Sequence, residues 1–144
     1  MFCMLQRQNP VVTMKIFLTS VLVTLLLAGC ATISDNKRQK SFDETTLLYE
    51  KIIRWGDFAA ASQFQQLEGD AQGRPLPQAD IRVTSYRQLS RNTLSNENTI
   101  AVKVQIDYYH NDTLKVITLT DNQIWKYTPD ENSWRITTPL PVFH

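Results

Sequence analysis

Asp107-Tyr108-Tyr109-His110 carries the densest ionisable chemistry in this chain. A carboxylate and an imidazole can pass protons near neutral pH, and a phenol can hold a developing oxyanion, provided that all of them meet one reacting atom. Side chains alternate along a strand, so Asp107 and Tyr108 point to opposite faces, and His110 falls in the turn that follows. The spacing therefore predicts a core aromatic at Tyr108, an exposed and dispensable carboxylate at Asp107 and a solvated His110, with no catalytic residue assigned. The other histidine is His144 and the cysteines are Cys3 and Cys30, which give neither zinc-ligand spacing nor a Cys–His nucleophile. Gly29, Gly56, Gly69 and Gly73 form no phosphate-cradling loop. The reading is a chain with no metal, no cofactor and no enzymatic activity.

The tryptophans Trp55, Trp125 and Trp134 are the other candidates for a role. A tryptophan buries roughly 150–250 Å² and its indole N–H seeks a partner, so the plain expectation is that these rings fill the space between a helix and a sheet. The sharper one is an apolar groove or interface at which Trp55, Tyr108 and Trp125 meet a protein partner or a small apolar ligand. Arg54, Lys126 and Arg135 interleave with the tryptophans, as solvent-facing alternation also requires.

Cys30 stands in a different setting. From Met14 the chain reads MKIFLTSVLVTLLLAGC: a lysine, an apolar run over Ile16 to Leu27, then Leu27-Ala28-Gly29-Cys30. The run suits a secretory signal and falls short of the roughly 20 residues that span a bilayer. Its ending resembles the lipobox of bacterial lipoprotein signal peptides. That resemblance implies diacylation of the Cys30 sulfur, cleavage before it, and a chain anchored by palmitate-type acyl groups. Ala31, in place of the aspartate that favours inner-membrane retention in enteric-type lipoproteins, implies the outer membrane, with the domain in the periplasm. Each buried methylene adds about 0.8 kcal/mol, so two or three acyl chains would hold the protein permanently. Met14 is the better start, since Met1 to Thr13 add nothing that a signal requires. Cys3 is lost with the signal, which leaves no pair for an intramolecular disulfide.

Loss of residues 1–29 removes Arg7 and Lys15 and no acid from a chain of formal charge +1, leaving a slight excess of acid. No basic run marks a nucleic-acid footprint or a polybasic membrane patch. Residues 30–40 read as the lipidated cysteine and a flexible linker, and residues 41–144 as one domain. Ser41-Phe42-Asp43-Glu44 has the form of a capping box. Behind it Phe42, Thr45, Tyr49, Ile52 and Ile53, with Leu48 and Trp55 beside them, follow a helical period as far as Gly56. Asp57 caps a shorter helix with Ala60, Ala61, Phe64 and Leu67 on its apolar side. Glycines and prolines make residues 69–78 a loop.

The period then becomes two. Ile81, Val83 and Ser85 mark one strand, and Ile100, Val102, Val104, Ile106 and Tyr108 a second. His110 to Thr113 is a hairpin loop, and a third strand runs from Leu114 to Tyr127 with a bulge or second hairpin at Asp121-Asn122. A turn over Pro129 to Asn132 leads to a last strand at Trp134 and Ile136, which Pro139 and Pro141 end.

The predicted class is α+β: two N-terminal helices packed on a curved, cone-like antiparallel sheet. Two stretches, Tyr49 to Ala61 with its Gly56-Asp57 break and Gln123 to Ile136, resemble the nuclear-transport-factor-2-like, or SnoaL-like, superfamily. That resemblance implies a ligand pocket or acid–base chemistry at the mouth of a cone. With no constellation to carry chemistry, the expected function is that of a membrane-anchored envelope lipoprotein whose domain binds without catalysing. A carrier or sensor of a small apolar ligand comes second, and an acid–base enzyme third.

Overall fold

Residues 35–67, 76, 80–94 and 98–144 are described by the computed structural model. The signal segment, Cys30 and most of the expected loop at 69–78 lie outside the described residues. The chain divides into two units, Met1–Lys40 and Ser41–His144.

Residues 35–55 are helical and form α1. The linker expected to reach Lys40 is thus helical over residues 35–40, and Ser41 lies within a helix, its carbonyl taking the Thr45 hydroxyl at 2.8 Å. An ion pair between Asp35 and Arg38, one turn apart, and the good helix formers Lys37, Arg38, Gln39 and Lys40 account for the extension. The helix closes at Gly56, whose φ of +74° is the left-handed conformation a side chain resists. The Gly56 N–H donates to the Ile53 carbonyl at 3.0 Å and the Asp57 N–H to that of Ile52 at 3.1 Å, a Schellman closure. The Asp57 carboxylate then accepts the Ala60 N–H at 2.9 Å and caps α2, Phe58–Ser62.

A four-stranded antiparallel meander follows: β1 (Ile81–Thr93), β2 (Thr99–His110), β3 (Ile117–Thr128) and β4 (Ser133–Ile136), in that spatial order. Phe42, Tyr49 and Ile53 of α1 are buried against the inner face of the sheet. The Phe42 ring meets Trp134 edge-on at 4.9 Å, and Tyr49 meets Trp125 at 5.2 Å. The inner face of β2 is Ile100, Val102, Val104, Ile106 and Tyr108, as its alternation predicts.

Two strands differ from expectation. The bulge foreseen at Asp121-Asn122 is absent, since β2 and β3 pair without interruption from Thr99↔Lys126 to Tyr108↔Ile117. The irregularities lie in β1, between Val83 and Ser85 and between Gln88 and Ser90. Each extra residue flips the strand's parity, which keeps Tyr86 and Arg91 opposite the inner residues Ile106 and Val102. Arg91 lies 4.3 Å over the Phe42 ring and pairs with Asp43 at 2.6 Å. Those two parity changes also hide the second half of β1 from any search for a period of two.

After β4 the chain crosses back as a strap over residues 137–144. Phe143 packs on Tyr108 at 4.9 Å and on Phe58 at 5.3 Å. The Tyr108 hydroxyl donates to the His144 carbonyl and accepts the His144 N–H, each at 2.9 Å.

Candidate functional site

The inner positions of β3 are not uniformly apolar. Opposite Val104 and Val102 of β2 stand Asp121 and Gln123, 9 % and 2 % exposed. A buried amide must find partners for both its ends. Gln123 Nε2 donates to Asp121 Oδ2 at 2.7 Å and to the Tyr86 hydroxyl of β1 at 3.0 Å, while Gln123 Oε1 accepts Trp125 Nε1–H at 3.0 Å. Four side chains from two strands thus form one chain of hydrogen bonds across the inner face. Burial pushes the Asp121 carboxyl above its ordinary value, opposed by the Gln123 amide. Burial also raises the phenols of Tyr49 and Tyr86, and the Asp121 charge adds to both. The Tyr49 hydroxyl is buried with no hydrogen-bond partner among the described residues.

The residues singled out in the sequence are distributed around this row rather than gathered in it. Trp125 belongs to it, wholly buried. Tyr108 is a core aromatic that holds the strap. Asp107 is on the outer face, accepting from Thr118 at 2.7 Å and Gln105 at 3.3 Å, which hold its carboxyl below the usual range. His110 Nε2 contacts the His144 carbonyl at 3.1 Å and Nδ1 the Asp80 carboxylate at 3.3 Å, and both raise its pKa. Asp107 and His110 therefore answer to separate partners.

Trp55 corrects an expectation. It does not lie between helix and sheet but is 82 % exposed. At 100° per residue it falls far around α1 from Tyr49 and Ile53, on the same side as Leu48 and Lys51.

Two surface hollows flank the polar row. One, of about 290 Å³, lies between α1 and the inner face of the sheet, with Thr46, Leu47 and Glu50 facing Tyr86 and Gln88 of β1 and Gln123 of β3. The other, of about 320 Å³, separates β3 at Leu119–Asn122 from the strap at Thr138–Val142. Tyr108 and Trp125 line neither, so a ligand opening beside them is not what these two hollows offer. Among the described residues no three of His, Cys, Asp and Glu converge as metal ligands. Sequence reasoning missed Asp121, Gln123 and Tyr86; the signal was present in the break of β3's alternation, which polar inner residues produce as readily as a bulge.

Asp121 yields a prediction. A carboxyl whose pKa is higher folded than unfolded favours folding while protonated. Stability is therefore greatest below the ordinary carboxylate value and declines as pH rises through the raised folded value. Asp121→Asn keeps an oxygen for the Gln123 donor and removes the buried charge. It is expected to gain on the order of 1 kcal/mol at pH 7 and less at pH 4, read from urea midpoints at the two pH values. Equal effects at both would mean that the carboxylate is already well solvated.

Comparison with protein families finds no matching family model, and comparison with curated proteins and with solved structures finds no match.

Proposed function

We propose that this chain is a lipid-anchored envelope protein, held in the outer membrane through Cys30, whose domain faces the periplasm and binds a protein partner without catalysing a reaction. The observation that carries the binding role is the outward face of α1, where Trp55 is 82 % exposed and Leu48 about half exposed. The core does not use these side chains, and a large exposed ring on the same face as an exposed leucine is the composition of interface anchors. The anchor rests on the Leu27-Ala28-Gly29-Cys30 ending. The cone-like, nuclear-transport-factor-2-like reading of the fold belongs to the same proposal, supported by the Gly56-Asp57 break between helices and by the bulged meander. A small-ligand carrier is the second reading, favoured by the hollow beside Tyr86 and Gln123.

Trp55→Ser tests the first reading. It is expected to change stability by less than about 1 kcal/mol, as exposed positions do, and yet to abolish complementation of a deletion strain at unchanged protein level. A photo-crosslinking residue at position 55 should trap one defined envelope protein in intact cells. Full complementation by Trp55→Ser, together with a small molecule co-purifying with the domain, would favour the carrier instead.

A further inference from the structure

A sheet has two edges, and exposed edges invite pairing with other chains unless something blunts them. On one side, β1 carries two bulges and the side chains of Arg82 and Arg87. On the other, β4 is covered: the Ile136 N–H donates to the Phe64 carbonyl and the Gln66 N–H to the Ile136 carbonyl, both at 2.9 Å. But β4 is only four residues long and pairs with β3 only from Trp125 to Thr128. The Thr137 N–H still reaches the Ile124 carbonyl at 2.8 Å. Beyond it Pro139 and Pro141, which have no N–H to give, carry the strap away from the ladder.

Among the described residues, nothing pairs with the remainder of that edge. Backbone groups alternate in direction along a strand. The Ile124 carbonyl turns toward β4, and the Tyr127 N–H turns toward the β2 side, reaching Asn98. Asn122, Thr120 and Thr118 therefore turn the same way as Ile124, and among the described residues no backbone group meets them there. This stretch, Ile117 to Ile124, is regular and has no lysine, arginine or proline. It has none of the devices that guard the edge of β1. The strap runs beside it across the hollow of about 320 Å³, and the Thr138 hydroxyl lining that hollow is buried with no hydrogen-bond partner among the described residues.

We infer that the open edge of β3 at Thr118, Thr120 and Asn122 is a docking slot for an extended peptide segment of a partner protein, which adds beside β3 as a strand in line with β4. Free donors and acceptors at every second residue match only an extended backbone. The hollow's Leu119, Leu140 and Val142 call for apolar or β-branched side chains at alternate positions of the incoming strand. The inference rests on the reading of the domain as a binding module but uses a surface other than Trp55, so failure at either leaves the other result interpretable.

The test follows amide hydrogen exchange by NMR in the intact chain, with an acetylated and amidated heptapeptide of alternating Thr and Val at about 1 mM. Exchange at Thr118, Thr120 and Asn122 is expected to slow about tenfold, with the β1 edge unaffected. The same peptide N-methylated at alternate residues should have no effect. Thr120→Pro removes an edge N–H while leaving the β2 ladder intact and should abolish the slowing; Asn122→Pro, which removes the next N–H on the same edge, serves the same purpose if that variant does not fold. No slowing, or equal slowing by the methylated peptide, overturns the inference. So does protection without peptide: if it grows with protein concentration a second copy fills the slot, and if it does not, another segment of this chain does.

Discussion

Trp125→Ala is expected to cost about 3–5 kcal/mol, a large share of a domain stability of the order of 5–15 kcal/mol. The ring is wholly buried and meets Phe42 and Tyr49 of α1 edge-on, at 6.1 and 5.2 Å. Its loss removes apolar burial, leaves a cavity between helix and sheet, and takes away the donor to Gln123 Oε1. The last effect adds the cost of an unsatisfied buried amide, about 1–3 kcal/mol. Denaturant titration of Trp125→Phe separates the two, since phenylalanine fills most of the space and supplies no N–H. A loss below about 1 kcal/mol for the alanine variant would mean that the helix and sheet are not held together at this ring.

The second large effect is on location. Cys30→Ser is expected to leave the protein without acyl chains, because serine offers no thiol for diacylation, and so to release the domain from the membrane fraction altogether. Metabolic labelling with a tagged fatty acid reads the first outcome and fractionation the second. Label retained by the serine variant would sink the lipoprotein proposal. For the unaltered chain, Ala31 implies co-migration with outer-membrane markers in a density gradient, and recovery only with the inner membrane would contradict the proposed destination.

The elements were legible where one physical signal dominated. β2 is apolar at every inner position from Ile100 to Tyr108, so a period of two located it and its buried face. Gly56-Asp57 located the break between helices because a left-handed residue and a short acceptor side chain have few other uses in sequence. β1 was half hidden, since each bulge resets the period within a polar stretch. The sequence of β3 carries a false signal of irregularity, because Asp121 and Gln123 occupy places that a hydrophobic pattern reserves for apolar residues. Trp55 shows the limit of residue type as a guide to burial: the helical angle, not hydrophobicity, decided its exposure.

The polar row also bears on how the sheet reaches one arrangement during folding. Tyr86 and Gln123 are 37 positions apart in sequence, and the whole of β2 lies between their strands. A slip of two residues in either strand pairing would keep every apolar side chain on the inner face, so hydrophobic burial alone discriminates weakly against it. The same slip would carry Tyr86 away from Gln123 and leave a buried amide hydrogen without an acceptor. The contact closes only when both pairings are correct together. It works as a vernier on the meander, penalising misaligned sheets that the greasy core would tolerate, and it gives a reason for burying a carboxylate and an amide where valines would pack.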